Sequence, residues 1–170
     1  MTIRRIFAIL VVGLVSASSL TACSMLGFDR PSRGTIEVKQ AVLNVASDYL
    51  RFVVANKTRL AEGMILWGDY SDNKGLGFSR ELWQRQLEYL HTTFDPGDVA
   101  AHPLVNLDLV NIDVDDSNSV VVLRKYNNPQ APEVRIALTW VGKGWLVTDD
   151  SLFGSSGLIA QLAAARQGAR

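Results

Sequence analysis

Val105-Asn106-Leu107-Asp108-Leu109-Val110-Asn111-Ile112-Asp113-Val114 alternates apolar and polar residues in two phases. Val105, Leu107 and Leu109 share one side of an extended chain, with Asn106 and Asp108 on the other. Val110, Ile112 and Val114 then alternate with Asn111 and Asp113, one residue out of step. Side chains of a strand repeat every two residues, so such a slip turns half the strand inside out unless the backbone absorbs it. The stretch therefore predicts a strand from about 104 to 114 with a β-bulge or sharp bend at Leu109 and Val110.

Downstream the period of two continues. Residues 115–118 read as a turn, 119–126 as a strand and 127–132 as a loop. Val134, Ile136, Leu138 and Trp140 alternate cleanly, and Gly142-Lys143-Gly144 is a hairpin turn into a last strand over 145–152. The Ala-rich tail from about 157 predicts a short C-terminal helix.

Upstream the period is 3.6. Thr35 is an N-cap for a long helix from Ile36 to about Lys57. On a helical wheel Val38, Val42, Leu43, Val45, Ala46, Tyr49, Leu50, Phe52 and Val53 form one broad face, with Asp48 and Arg51 opposite. A face that wide suits a helix lying on a sheet. A shorter helix is expected over 58–66, a loop over 68–77, and a third helix capped by Ser79 that runs to about Phe94, with Asp95-Pro96-Gly97 stopping it. Helices first and an antiparallel meander after them read as α+β, with N-terminal helices packed on a curved, cone-like sheet.

That order, with its long first helix, bent strand and closing stretch Gly144-Trp145-Leu146-Val147-Thr148-Asp149-Asp150-Ser151-Leu152, resembles the cone-shaped superfamily of nuclear transport factor, ketosteroid isomerase and SnoaL-type proteins. The resemblance spans about residues 35–152 and rests on element order and texture. It implies a cleft inside the cone. In the isomerases of that superfamily the cleft holds carboxylic acids and a tyrosine whose proton affinities are set by an apolar site.

At the N-terminus Arg4 and Arg5 precede an apolar run of ten, Ile6 to Val15, too short to span a bilayer of ~30 Å. Small residues follow and end in Leu20-Thr21-Ala22-Cys23. This tetrapeptide resembles the lipobox of bacterial lipoproteins, which implies a diacylglycerol thioether on Cys23, cleavage before it and acylation of the new amine. The expected organisation is a lipoprotein signal peptide over 1–22, a flexible tether over 23–34, rich in Gly, Ser, Pro and charge, and a single α+β domain over 35–170. Two or three acyl chains would make the membrane attachment permanent. Ser24, a non-aspartate after the cysteine, resembles an outer-membrane address facing the periplasm.

The chain has one cysteine and two histidines, which excludes an internal disulfide and a multi-cysteine zinc site. Without Arg4 and Arg5, fifteen basic residues face seventeen acidic ones, scattered singly. Nucleic acid is therefore not an expected partner, since its binding needs clustered Lys and Arg. No cofactor or metal site is expected. Asp69 and Asp72 suggest a calcium loop, but the required glycine and glutamate positions hold Lys74 and Arg80. Gly154-Ser155-Ser156-Gly157 lacks the spacing of a nucleophile elbow. His91 falls on the polar side of its helix and His102 in a loop, and neither has a serine or cysteine partner. Tyr49 reads as a core aromatic with a satisfied hydroxyl, Asp48 as a solvated charge, and Trp67, Trp83, Trp140 and Trp145 as core. Lipidated Cys23 is the one site residue expected. The function expected is a non-catalytic envelope module that binds a protein partner or an apolar small molecule. The alternative is an isomerase-type envelope enzyme using buried carboxylates and tyrosine.

Overall fold

A computed structural model describes residues 34–68 and 75–168 of the chain; the lipobox with Cys23 and the 69–74 loop with its calcium-like spacing lie outside them. Four helices, α1 (Ile36–Val54), α2 (Thr58–Glu62), α3 (Arg80–Thr93) and α4 (Leu158–Gly168), accompany the strands β1 (Leu107–Asp115), β2 (Asn118–Lys125), β3 (Val134–Trp140) and β4 (Trp145–Asp150). The strands form one antiparallel sheet in the order β1-β2-β3-β4. The fold is α+β.

Both long helices begin where their side chains can cap them. The Thr35 hydroxyl accepts the Val38 N–H at 3.3 Å, and the Ser79 hydroxyl accepts the Leu82 N–H at 3.2 Å. α1 buries Val42, Ala46, Tyr49, Leu50 and Val53, a spacing of three and four that keeps one face turned inward. That helix touches all four strands. Facing it are Val121 and Leu123 of β2, Ile136 and Leu138 of β3, and Val147 of β4, all buried. Each aliphatic side chain buried in this way contributes about 1.5–3 kcal/mol. α1 stops at Val54, earlier than the periodicity suggests, because Asn56 adopts a left-handed backbone with φ of 54°.

The second helix is also shorter than expected. It closes at Glu62, and Met64–Leu66 runs extended beside β4. Val147 N–H donates to the Met64 carbonyl and Leu66 N–H to the Val147 carbonyl, each at 2.8 Å. Those bonds cover an edge strand that would otherwise present unpaired backbone.

β1 carries the bulge. Leu109 pairs with Leu123 and Asn111 with Val122, leaving Val110 as the extra residue. The slip in the sequence is thus absorbed where the two phases meet. Neither Leu109 nor Val110 reaches the core, however, and they remain 46% and 47% exposed. Among the described residues β1 is the sheet's other edge, with no strand beyond it. A second register shift lies between β3 and β4, where Ala137 pairs with Asp149 and Leu138 with Val147. Thr148 is the extra residue there. The phase of β4 therefore reverses after Val147, turning Asp150 inward and Asp149 outward.

Candidate functional site

The reversal in β4 brings a carboxylate into the core opposite α1. The Tyr49 hydroxyl donates to Asp150 Oδ2 at 2.7 Å and accepts from Trp83 Nε1 on α3 at 3.2 Å. Asp150 Oδ1 accepts the backbone N–H groups of Leu152 at 3.0 Å and Phe153 at 2.9 Å. Both oxygens are thereby occupied, and Asp150 and Tyr49 together tie α1, α3, β4 and the following turn.

Burial pushes the Asp150 carboxyl above its ordinary range, against the opposing pull of the Phe153 N–H, Tyr49 and Leu152 N–H bonds; the Asp149 charge adds a smaller push upward. Tyr49 is held well above its ordinary value by burial first, and then by the charge and hydrogen bond of Asp150. The hydroxyl therefore keeps its proton.

The turn beyond Asp150 is shaped by close approach. A Cβ on Gly157 would sit 2.4 Å from the carbonyl oxygens of Leu152 and Phe153, so only glycine fits. Gly154, at φ of 92°, exchanges two hydrogen bonds with the Gln86 side chain of α3: its N–H donates to Oε1 at 2.7 Å and its carbonyl accepts from Nε2 at 2.8 Å. The sequence Gly154-Ser155-Ser156-Gly157 is a fitted turn leading into α4.

Beside this turn lies an open cleft of about 780 Å3. Asn118, Thr139, Thr148 and Asp149 line it from the sheet, Ser155 and Ser156 from the turn, and Asp150 from its floor. Glu133 stands at the rim, held below its ordinary carboxyl range by its hydrogen bonds to Arg135 and Arg124, at 2.9 and 2.6 Å. Tyr49 is fully buried and does not line the cleft.

Tyr49 has its hydroxyl satisfied. Asp48 is half-exposed and paired with Arg51 at 2.9 Å. Trp83 and Trp145 are buried, while Trp67 and Trp140 pack against the core from its margin. His91 departs from its reading as a polar-face residue: it is half-buried, with Nε2 out of reach of solvent. His102 is in a loop but completely buried. Among the described residues no three His, Cys, Asp or Glu gather as a metal-ligand set, and no helix is long and apolar enough to cross a membrane. The sequence reading missed Asp150, and the place it occupies was available only from the second bulge.

Compared with protein-family models, with curated proteins and with solved structures, the chain shows no match.

Proposed function

We propose that this chain is an envelope lipoprotein, anchored through lipid on Cys23 and facing the periplasm from the outer membrane, whose domain is a cone-like, non-catalytic module that binds a protein partner. The observation that carries the choice of partner is where the free volume lies. Between α1 and the sheet, Tyr49, Trp83, Val53, Ile136 and Leu138 are essentially inaccessible, so the interior is filled with side chains. The concavity is outside, open and lined mostly by hydroxyl, amide and carboxylate groups. Such a surface suits a polar chain segment better than the apolar small molecule that an empty cone would take.

A photo-crosslinking residue at Thr139, on the cleft, should capture a discrete protein in intact membranes, and one at Asp48 should not. Asp149→Arg should abolish the capture without unfolding the domain. Equal capture from both positions would remove the reading. The anchor has its own check: Cys23→Ser should abolish detergent partitioning and peptidase processing.

The isomerase-type reading is favoured by one observation, the 2.7 Å contact of Tyr49 with a carboxylate that borders the cleft. To take or give a proton, Asp150 would have to release a backbone N–H or Tyr49, because all three donors hold it in place. The pair therefore reads first as a structural tie. An Asp150→Asn protein that stays folded but loses a proton-transfer activity of the parent would reverse that order.

A further inference from the structure

Residues 94–106 carry the chain from α3 to β1, and Lys125 of β2 holds this loop down. Its ammonium donates to the carbonyls of Val99, His102 and Val105, the last two at 2.7 Å. Within the loop His102 is fully buried, edge-on to the Phe94 ring with centroids 6.0 Å apart. Its Nδ1 accepts the Leu104 N–H at 3.1 Å, which places the ring proton on Nε2, and Nε2 is buried with no partner among the described residues.

His91, on α3, is half-buried. Its Nε2 is likewise buried, with no hydrogen-bond partner among the described residues. The two rings are near enough for a charge on one to be felt by the other. Two such atoms in one neighbourhood are unusual in a folded core and cost stability.

We propose that His102, together with His91, is a proton-operated latch on the 94–106 loop: the loop stays closed while both rings are neutral and lets go when His102 takes a proton. An imidazolium has two donors and no acceptor, so the Leu104 N–H would lose its partner. The charged groups around the ring are Lys125 on β2, His91 on α3, Asp95 and Asp98 in the loop, and Arg166 of α4, whose guanidinium lies 4.9 Å from the Phe94 ring centroid. Asp95 would favour the proton. Asp98 already accepts the Ala101 N–H at 3.0 Å and acts on Lys125. Lys125 and a protonated His91 would oppose it. The charge is relieved when the loop opens to water.

Burial and the Lys125 charge hold His102 below its ordinary value of 6.5, and burial lowers His91 in the same direction. The open loop, with ordinary proton affinity, takes up the proton first. Loop opening should therefore rise as pH falls below about 6.5, roughly tenfold per pH unit for one controlling site, until the closed form also protonates.

The test follows amide hydrogen exchange in the detergent-solubilised full chain from pH 7.5 to 5, corrected for intrinsic rates. Residues 95–106 should lose protection by about tenfold or more across that span, while residues 42–53 of α1 keep theirs. His102→Asn, which can still accept the Leu104 N–H but cannot titrate, should make the loop's exchange independent of pH. A loop whose protection is flat with pH in the parent, or whose pH response persists in a folded His102→Asn protein, overturns the latch. Should that variant fail to fold, imidazole nitrogen shifts of the parent decide. Titration of His102 in step with loop opening upholds the latch, and titration without opening overturns it.

Discussion

α3 carries two buried polar clusters of opposite character. Near its start, Trp83 joins Tyr49 and Asp150 in a network where every polar side-chain atom is engaged: Tyr49 donates once and accepts once, and Asp150 accepts three times. Near its end, His91 and, in the loop beyond, His102 each bury an Nε2 atom that has no hydrogen-bond partner among the described residues. A satisfied network in a low-dielectric interior rigidifies and specifies one packing, whereas an incompletely satisfied one stores a cost that a change of protonation can release. One chain thus builds a tie at one end of a helix and a release at the other.

The largest way to break the contrast is to remove the hub of the tie. Asp150→Ala leaves the Tyr49 hydroxyl and the Leu152 and Phe153 N–H groups without their acceptor. Each unmet buried group costs about 1–3 kcal/mol, offset in part because no carboxylate then needs burying, so a net loss of about 3 kcal/mol is expected in chemical denaturation. Asp150→Asn, which can still accept the two backbone N–H groups, should cost about 1 kcal/mol. The pH response supplies a second mark. The raised folded value means that the native state holds the Asp150 proton above 3.8, where the unfolded chain has released it. This residue's contribution to stability therefore falls as pH rises from about 3.8 through the folded value, and Asp150→Asn should lack that slope. An alanine variant as stable as the parent would show that the network is incidental.

Why the sequence concealed this hub, while revealing the bulge in β1, follows from one mechanism acting twice. In β1 the inserted residue changes the phase of a visible pattern, since apolar Leu109 and Val110 stand side by side where alternation fails. In β4 the insertion at Thr148 changes the phase just before Asp149-Asp150. Strict alternation from Trp145 and Val147 would point Asp149 inward and Asp150 outward; the bulge exchanges them, and because both are aspartates the exchange leaves no trace in the letters. The partner compounds the difficulty, because Tyr49 lies 101 residues away. The inward face of α1 and its N-cap Thr35 were legible because a helical face and a capping hydroxyl are local. The half-burial of His91 was not, since it comes from tertiary packing that helical periodicity does not encode.

A smaller effect is expected from trimming the tie on its other side. Tyr49→Phe keeps the ring in the core but leaves Asp150 Oδ2 and Trp83 Nε1 without their partner, at a cost of about 1–3 kcal/mol near neutrality. The same substitution should remove an alkaline limb. In the folded chain the hydroxyl keeps its proton well above pH 10, while the unfolded chain releases it near 10. Tyr49 therefore contributes stability below about pH 10 that is lost as pH rises through the folded value. Denaturation midpoints measured from pH 8 to 11 should fall more steeply for the parent than for the phenylalanine variant. Parallel curves would mean that the hydroxyl ionises as freely in the fold as outside it.

The smallest effect sharpens the comparison from outside both clusters. Asp48 precedes Tyr49 in sequence, yet one residue turns a helix by 100°, enough to put the tyrosine in the core and the aspartate in water. There Asp48 pairs with Arg51 at 2.9 Å, both side chains about half or more exposed. Such a pair gains little, because solvent and salt screen it and two long side chains must be held together. Asp48→Ala should change stability by less than about 0.5 kcal/mol, and added salt should erase even that. Denaturation of this variant at low and high ionic strength makes the measurement. A loss above about 1 kcal/mol, insensitive to salt, would give the exposed face of α1 a structural role that its contacts do not account for. A neutral result also fits Asp48 as the control position in the crosslinking experiment, since it is half-exposed and does not line the cleft.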